Sequence, residues 1–404
     1  MKKTSPRRKR VLLLLGWYSP STEKGIVRYA REANWALDLQ TLRTGVFPEN
    51  RGFDGILGLL GGWGVRPELG EFVRRAVGVP VVDMHADLAA TLPAGRVLTD
   101  NLAVGRLAAE HFLDREFKNC LFYCRSLSDW SANERMLGFS TRLAESGLRP
   151  DTLECYPRGF SKELTARHCV KQLTRYLADA PRPLAIFAEN DDFALFALDA
   201  CEQAGLRVPE EVALLGSGNN SLVVEFASVP LSSVDHDSVT RSYRAAQLLD
   251  RLMAGEPVPR EPIRTPPKGV ILRRSTDILA VADPGVAAAL NEIRLHFSDV
   301  QLGPQDVADA CGINLRTLNR GILKNLGRSV AAELRQVRLR HARQLLLTTD
   351  LTISEVAQQS GFANLLHFRR SFSRDSDASP RQWRTAHSAA AQPSVPDPAA
   401  ANQD

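Results

Sequence analysis

One pattern is written twice in the last third of the chain. Its first copy is VADACGINLRTLNRGI, from Val307 to Ile322, and its second is VAQQSGFANLLHFRRSF, from Val356 to Phe372. In each, Val-Ala opens a short helix, a Gly stands four residues after the Ala (Gly312, Gly361), and an apolar residue follows it (Ile313, Phe362). The small side chains of Ala308 and Ala357 let two helices approach closely. The Gly permits a left-handed turn between them, and the next apolar residue fills their junction. Asn314 and Asn364 suit the N-cap of each second helix. Leu318 with Ile322, and Phe368 with Phe372, are spaced i, i+4 and turn one face of that helix inward. The spacing predicts two helix-turn-helix units.

The faces turned outward carry residue types that read DNA. An Arg can bridge the two major-groove acceptors of guanine, an Asn can do the same at adenine, and a Leu suits a thymine methyl group. The first copy offers Arg316, Asn319 and Arg320, and the second Leu365, Leu366, Arg369 and Arg370. Between the copies Leu334, Leu339, Ala342, Leu345 and Leu346 recur at helical spacing, which predicts one connecting helix. Two units on a rigid spacer can enter successive major grooves, about 34 Å apart, on tandem half-sites of double-stranded DNA. From 285 to 385 there are 14 Lys plus Arg against 9 Asp plus Glu. That excess of +5 equals the formal charge of the whole 404-residue chain, so the remainder is neutral on balance. A basic module beside a neutral one fits phosphate attraction confined to the C-terminal part.

Residues 11 to about 275 alternate short apolar runs with amphipathic stretches, the pattern of strand-helix units and a parallel sheet. Strands are expected at VLLLLG from 11, GILGLL from 55, VPVVDM from 79, CLFYC from 120, PLAIFAEN from 183 and VALLGS from 212. Helices are expected at Thr22 to Ala33, Asn101 to Asp114 and Asp192 to Ala204. The length suits two such lobes. In open sheets of this kind ligands bind beyond the carboxyl ends of the strands. There the sequence places Asp83, His85, Asp100, Asn101, Trp130 through Arg135, Glu189 through Asp192, Asn219 and Asn220. Carboxylates, amides and an Arg can hydrogen-bond several hydroxyls while an indole covers the apolar face of a sugar ring. The set reads as a polyol site.

Other chemistries find less support. Neither a Ser-His-Asp set, a zinc spacing nor a paired-carboxylate signature can be singled out, so no catalytic residue, metal or cofactor is expected. GLLGGWG at 58 to 64 superficially resembles a phosphate loop, which keeps open an enzyme acting on a sugar or nucleotide. It lacks the Lys-Ser/Thr ending and the Gly-x-Gly-x-x-Gly spacing. Six cysteines without paired short spacings suit a reducing compartment, with Cys120 and Cys124 as buried thiols on one strand face. No stretch reaches the ~18 apolar residues of a membrane span. MKKTSPRRKR before VLLLLG mimics a secretory signal, but its apolar run is too short and no cleavage site follows. Residues 1–10 are expected to be a basic tail.

Residues from about 284 to 387 resemble the AraC-type DNA-binding domain, including the closing stretch Ser379 to Arg384, which is similar to that family's Pro-x-x-Tyr-Arg ending. Trp383 replaces the commoner Tyr, and Asp377 stands where most members have Gly. The resemblance implies base contacts from Arg316, Asn319, Arg320, Leu365, Leu366 and Arg370, with Arg369 on phosphate. Pro183 to Gly255 resembles the sugar-binding core of LacI-type regulators and periplasmic binding proteins. It implies that Asp191, or its neighbour Asp192, meets ligand hydroxyls and that Arg135 reaches the ligand from the other lobe, joining Asp83, His85, Trp130 and Asn219. The family's Gly-x-Asp loop is Gly216-Ser217-Gly218 here, leaving Asn219 or Asn220 to replace the missing carboxylate, or leaving a sensor that no longer senses.

The pairing of these two modules, with the junction LRRSTDILAVADP from Leu272 to Pro284, resembles the family of xylose operon regulators. The expected architecture is thus an α/β two-lobed periplasmic-binding-protein-like sensor at 11–275, a linker at 276–287, an all-α domain with two helix-turn-helix units at 288–387, and a disordered tail at 388–404. The resemblance implies a transcriptional activator in the cytoplasm, acting as a homodimer with RNA polymerase and responding to D-xylose or a related small sugar.

Overall fold

The computed structural model describes residues 7–16, 19–48, 52–61, 67–86, 94–156, 166–278, 280, 283–349 and 351–389. The chain divides into two compact units, Met1–Asp277 and Ile278–Asp404. In the first unit twelve strands follow in order: β1 (Arg10–Leu15), β2 (Ala36–Asp38), β3 (Gly55–Leu59), β4 (Val81–Asp83), β5 (Gly95–Thr99), β6 (Asn119–Cys124), β7 (Asp151–Glu154), β8 (Leu184–Ala188), β9 (Val212–Ser217), β10 (Ser232–Asp235), β11 (Ile263–Thr265) and β12 (Gly269–Ile271). They form two six-stranded sheets, ordered β11-β5-β4-β3-β1-β2 and β12-β10-β9-β8-β6-β7. Among the described residues neighbouring strands pair in parallel, except β10 with β12.

Each sheet is the core of a lobe. Leu12, Leu14, Ile56 and Leu57 in the first, and Leu121, Phe122, Ile186 and Leu214 in the second, are fully buried. That burial on both faces is why these strands read as continuous apolar runs rather than alternating ones. The chain changes sheet three times, between β5 and β6, β10 and β11, and β11 and β12. After the first change, helix Asn101–Leu113 lies against helix Trp130–Ala144. The approach is close because both carry glycine at the crossing: a Cβ on Gly105 would be 2.1 Å from the Arg135 carbonyl, and one on Gly138 2.1 Å from that of Leu102. This crossing sets Arg135 beside Asn101.

The second unit is helical. Helices Pro304–Ala310 and Leu315–Leu326 form the first helix-turn-helix, and Ile353–Gln359 and Leu365–Ser376 the second. The turn glycines are left-handed as expected, Gly312 at φ +64° and Gly361 at φ +76°. Asn314 accepts from the Arg316 amide at 2.9 Å, and Asn364 from the Leu366 amide at 2.8 Å. The connecting helix Val330–Thr348 feeds both cores. Leu334 joins Leu318 and Ile322 around the first unit, while Leu339, Ala342 and Leu346 join Phe368 and Phe372 around the second.

The differences from expectation are at the edges. Residues 7–10 are not a free tail: Lys9 Nζ pairs with Asp250 at 2.9 Å, Arg7 pairs with Asp54, and Arg10 opens β1. Residues 1–6 lie outside the described residues, as do 62–64 of the glycine-rich run and 390–404 of the expected tail. Ser275 and Thr276 are buried within the first unit, and Val286 is buried in the core of the helical unit, so the connection is shorter than 276–287. The last helix runs Pro380–Ala389, past the expected end at 387. Five cysteines are buried and Cys311 is half-buried. No helix among the described residues is long and apolar enough to cross a membrane.

Candidate functional sites

The carboxyl ends of strands from both sheets converge on a cavity of about 510 Å³. Ser19 and Thr22 follow β1, His85 follows β4, Asn101 follows β5, Trp130 and Arg135 follow β6, Glu189 to Asp192 follow β8, Ser217 to Asn220 end or follow β9, and His236 follows β10. Most of the lining residues carry polar side chains, which can hydrogen-bond a ligand rich in hydroxyls, among apolar wall from Pro20, Met84 and Trp130.

Arg135 spans the middle of this site. Its Nε donates to Asn101 Oδ1 at 2.9 Å and its Nη1 to the Glu189 carbonyl. A guanidinium has five N–H donors, so this leaves others for a ligand. Burial lowers its pKa, opposed by the charge of Glu189. Glu189 is in turn pushed up to about 7, by burial and then by Asp129. Trp130 opens its helix at the mouth, with His85 edge-on at 6.0 Å between ring centroids and the Arg264 guanidinium 5.8 Å from its own.

Asp191 and Asp192 both line the cavity, but in different states. Asp191 is buried, accepts from Ser233 Oγ at 2.6 Å and from the Asn220 amide at 2.7 Å, and is raised to about 6 by burial. Asp192 is exposed, and desolvation raises it too. Asn219 sits on the rim at φ +54°, its carboxamide already engaged: Oδ1 accepts from Arg273 at 2.9 Å and Nδ2 reaches Asp235 at 3.4 Å. Asn220 is exposed on the same rim and its side chain does not cap the helix it precedes. Asp83 is the correction here. It does not line the cavity; its Oδ1 accepts from the Leu60 and His85 amides at 3.0 and 3.1 Å and so holds the ends of β3 and β4. A carboxylate after a strand can serve the backbone as well as a ligand.

His236 and Arg241 also line the cavity and were not singled out from sequence. His236 shares a hydrogen bond with Ser217 Oγ at 2.7 Å, and burial, with Arg135 and Arg241 close by, holds its pKa well below the ordinary range. Arg241 donates to Thr99 Oγ1 at 3.1 Å, and burial lowers it to about 10. They follow β10, whose Ser232-Ser233-Val234-Asp235 is no apolar run; His236 standing directly before the Asp237 helix cap was the available signal.

On the helical unit Arg316, Arg320, Leu366, Arg369 and Arg370 are exposed on the second helix of each pair. Two expected readers are not. Asn319 turns to the neighbouring helix, its Oδ1 accepting from the Val330 amide at 3.0 Å. A free helix-start N–H competes for any acceptor in reach, and the Asn at this position satisfies it. Leu365 packs against the second core instead of facing outward. Thr317 and His367, exposed at matching positions of the two copies, were overlooked.

A periplasmic binding protein-like domain matches residues 109–276, and a helix-turn-helix domain matches residues 307–386. The xylose operon regulatory protein of Escherichia coli (strain K12) is 32% identical over 302 residues, 73% of this chain and 75% of its own. Its counterpart in Haemophilus influenzae is 26% identical over 295 residues, 71% and 74% of the two chains. A solved structure of a xylose-binding transcription activator covers 94% of this chain and 99% of its own, at 27% identity and a TM-score of 0.58.

Proposed function

Because the chain belongs to the xylose operon regulatory protein family, and so joins a sugar-sensing domain to a helix-turn-helix DNA-binding domain, we propose that its effector is a small sugar, D-xylose first, held between the lobes. The observation that carries this is the polar cavity crossed by Arg135. Arg135 donates to ligand hydroxyls from one side, Asp191 or Asp192 accepts from the other, and Trp130 covers the ring's apolar face. Asn220, rather than Asn219, takes the place of the missing loop carboxylate, since its side chain is exposed on the rim. No catalytic step is assigned to the cavity, in keeping with homologues that are transcription regulators.

Sugar binding closes the lobes about the three sheet-to-sheet connections and shifts a cytoplasmic homodimer toward one arrangement. A ligand moves such an equilibrium only by its differential affinity for the two states. Arg316, Arg320, Leu366 and Arg370 then read bases on tandem half-sites, Arg369 meets phosphate, and the bound dimer activates by contact with RNA polymerase.

Thermal unfolding against pentoses, hexoses and uronic acids tests the effector. At 100 times its dissociation constant a ligand stabilises the native state by about 2.7 kcal/mol, a rise of several degrees. A rise with D-xylose is expected; a rise with another sugar alone replaces xylose, and no rise across the panel overturns the sugar reading.

A further inference from the structure

The segment through which the chain leaves the sensor is bound to the cavity's rim by a continuous run of hydrogen bonds. After β12 the chain turns at Arg273 into a single helical turn, Arg274–Thr276, and the first unit ends at Asp277. Three residues of this exit, Arg273, Ser275 and Thr276, are fastened to β9, β10 or the loop before β10. The Arg273 amide donates to Ser232 Oγ at 2.8 Å, Ser275 Oγ donates to the Leu214 carbonyl at 2.5 Å, and Thr276 Oγ1 donates to Ser232 Oγ at 2.7 Å. Ser275 and Thr276 are both fully buried.

β10 faces the other way at its next residue. Because side chains alternate along a strand, Ser232 serves the exit while Ser233 serves the cavity: its Oγ donates to Asp191 and accepts from the Asn219 amide at 3.0 Å. The two faces are joined directly by Arg273. Its Nη1 donates to the Leu231 carbonyl at 3.0 Å and its Nη2 to Asn219 Oδ1 at 2.9 Å. Its side chain is 15% exposed, whereas the neighbouring Arg274 side chain is 64% exposed and pairs with Glu210. A rigid planar fork fixes the direction of what it holds. Asn219, on the rim and in a left-handed conformation unfavourable to most residues, is therefore held in place by a residue of the exit segment.

We propose that Arg273 is a positioning residue that couples occupancy of the cavity to the exit segment: a ligand that draws the Asn219 loop toward itself shifts Arg273, and with it the turn Arg274–Thr276. This rests on the effector reading above. Arg273 does not line the cavity, so its loss separates sensing from response.

The test uses the full-length chain with R273A and with R273K, which keeps the charge but not the fork. D-xylose affinity is measured by calorimetry, and DNA affinity, with and without xylose, on a fragment the wild-type protein selects from a random pool. The expected result is a xylose dissociation constant within about 3-fold of wild type and a xylose-induced change in DNA affinity that collapses toward 1, with DNA binding in its absence retained. A full xylose response in both variants overturns the proposal, as does loss of xylose binding in step with the response, which would make Arg273 merely a support for the pocket. Should wild type ignore xylose, the effector reading fails, and amide exchange in the unliganded protein decides: R273K must speed exchange at both 217–220 and 274–277. Acceleration at only one of them overturns the coupling.

Discussion

A Cβ added to Gly218 would lie 3.3 Å from Oδ2 of Asp191, at a backbone φ of +124° that side chains rarely adopt. The two positions compete for one space. Asp191 occupies it, already raised to about 6 by burial, so a second carboxylate at 218 meets both strain and like charge. Gly218→Asp should cost about 1–3 kcal/mol of stability from the backbone alone. The charge part is pH-dependent. A carboxyl whose pKa is higher folded than unfolded makes the native state bind more protons, so stability falls as pH rises through that interval. The deficit of the variant should be larger at pH 8 than at pH 5 in chemical unfolding; an equal deficit at both would remove Asp191 as the cause.

Arg135 joins Asn101, in the connection from β5 to β6, to Glu189, which follows β8. Arg135→Ala should abolish the response to sugar while leaving DNA binding without sugar intact. Loss of both would mean that the variant has misfolded. In the unliganded protein it should also raise the pKa of Glu189, which Arg135 lowers, and this is measurable by carboxyl NMR titration.

The two turn glycines should differ in cost. Nothing lies within 4 Å of a Cβ at Gly312, whereas one at Gly361 would meet the Phe297 carbonyl at 2.1 Å. Gly312→Ala should therefore lose about 1–2 kcal/mol for its left-handed backbone, and Gly361→Ala about 2–5 kcal/mol once the overlap is added. Denaturant midpoints at unchanged slope measure both. Equal losses would mean that the Phe297 loop moves aside.

The sequence made the helical unit legible because its signals are local: two turn glycines, two Asn caps and a helix whose Leu334 and Leu339 serve successive cores. The buried strands β1, β3, β6, β8 and β9 were legible as apolar runs for a similar reason. β10 was not, since Ser232 and Ser233 are there for hydroxyl partners on opposite faces and give no apolar period. β2, β11 and β12 have three residues each and, unlike the equally short β4 within VPVVDM, stand in no comparable apolar run. Within the site, spacing after strands located Arg135, Asp191 and Trp130 but could not distinguish the carboxylate of Asp83, which serves two backbone amides, from one free to meet a ligand.

Asn319 shows the same limit on the DNA face, since helical spacing gives a residue's side but not its partner. As its Oδ1 caps Val330, Asn319→Ala should cost about 1 kcal/mol of stability and leave base preference unchanged. Arg370→Ala should leave stability unchanged, cost about 1–3 kcal/mol in binding and relax preference at one base position. Affinities over a library of half-site variants distinguish these outcomes. A uniform loss for Arg370→Ala would make it a phosphate contact, and altered preference in Asn319→Ala would return that residue to the reading face.

Asp377 ends the second recognition helix at φ +50°, the place taken in the first copy by Gly327 at φ +68°. Glycine adopts this conformation without penalty. Asp adopts it at some cost, and also puts a negative charge at a helix C-terminus, which is unfavourable by about 0.3–1 kcal/mol. Asp377→Gly removes both penalties but gives the unfolded chain more freedom, worth about 0.4–1 kcal/mol in the other direction. The net expectation is a gain of about 0.5 kcal/mol. Asp377→Asn, which removes only the charge and tolerates the backbone, should gain a few tenths of a kcal/mol, and Asp377→Ala should lose stability. The order Gly, Asn, Asp, Ala in urea midpoints is the diagnostic, because an Asp that stabilises the helix end through its own side chain would instead rank first.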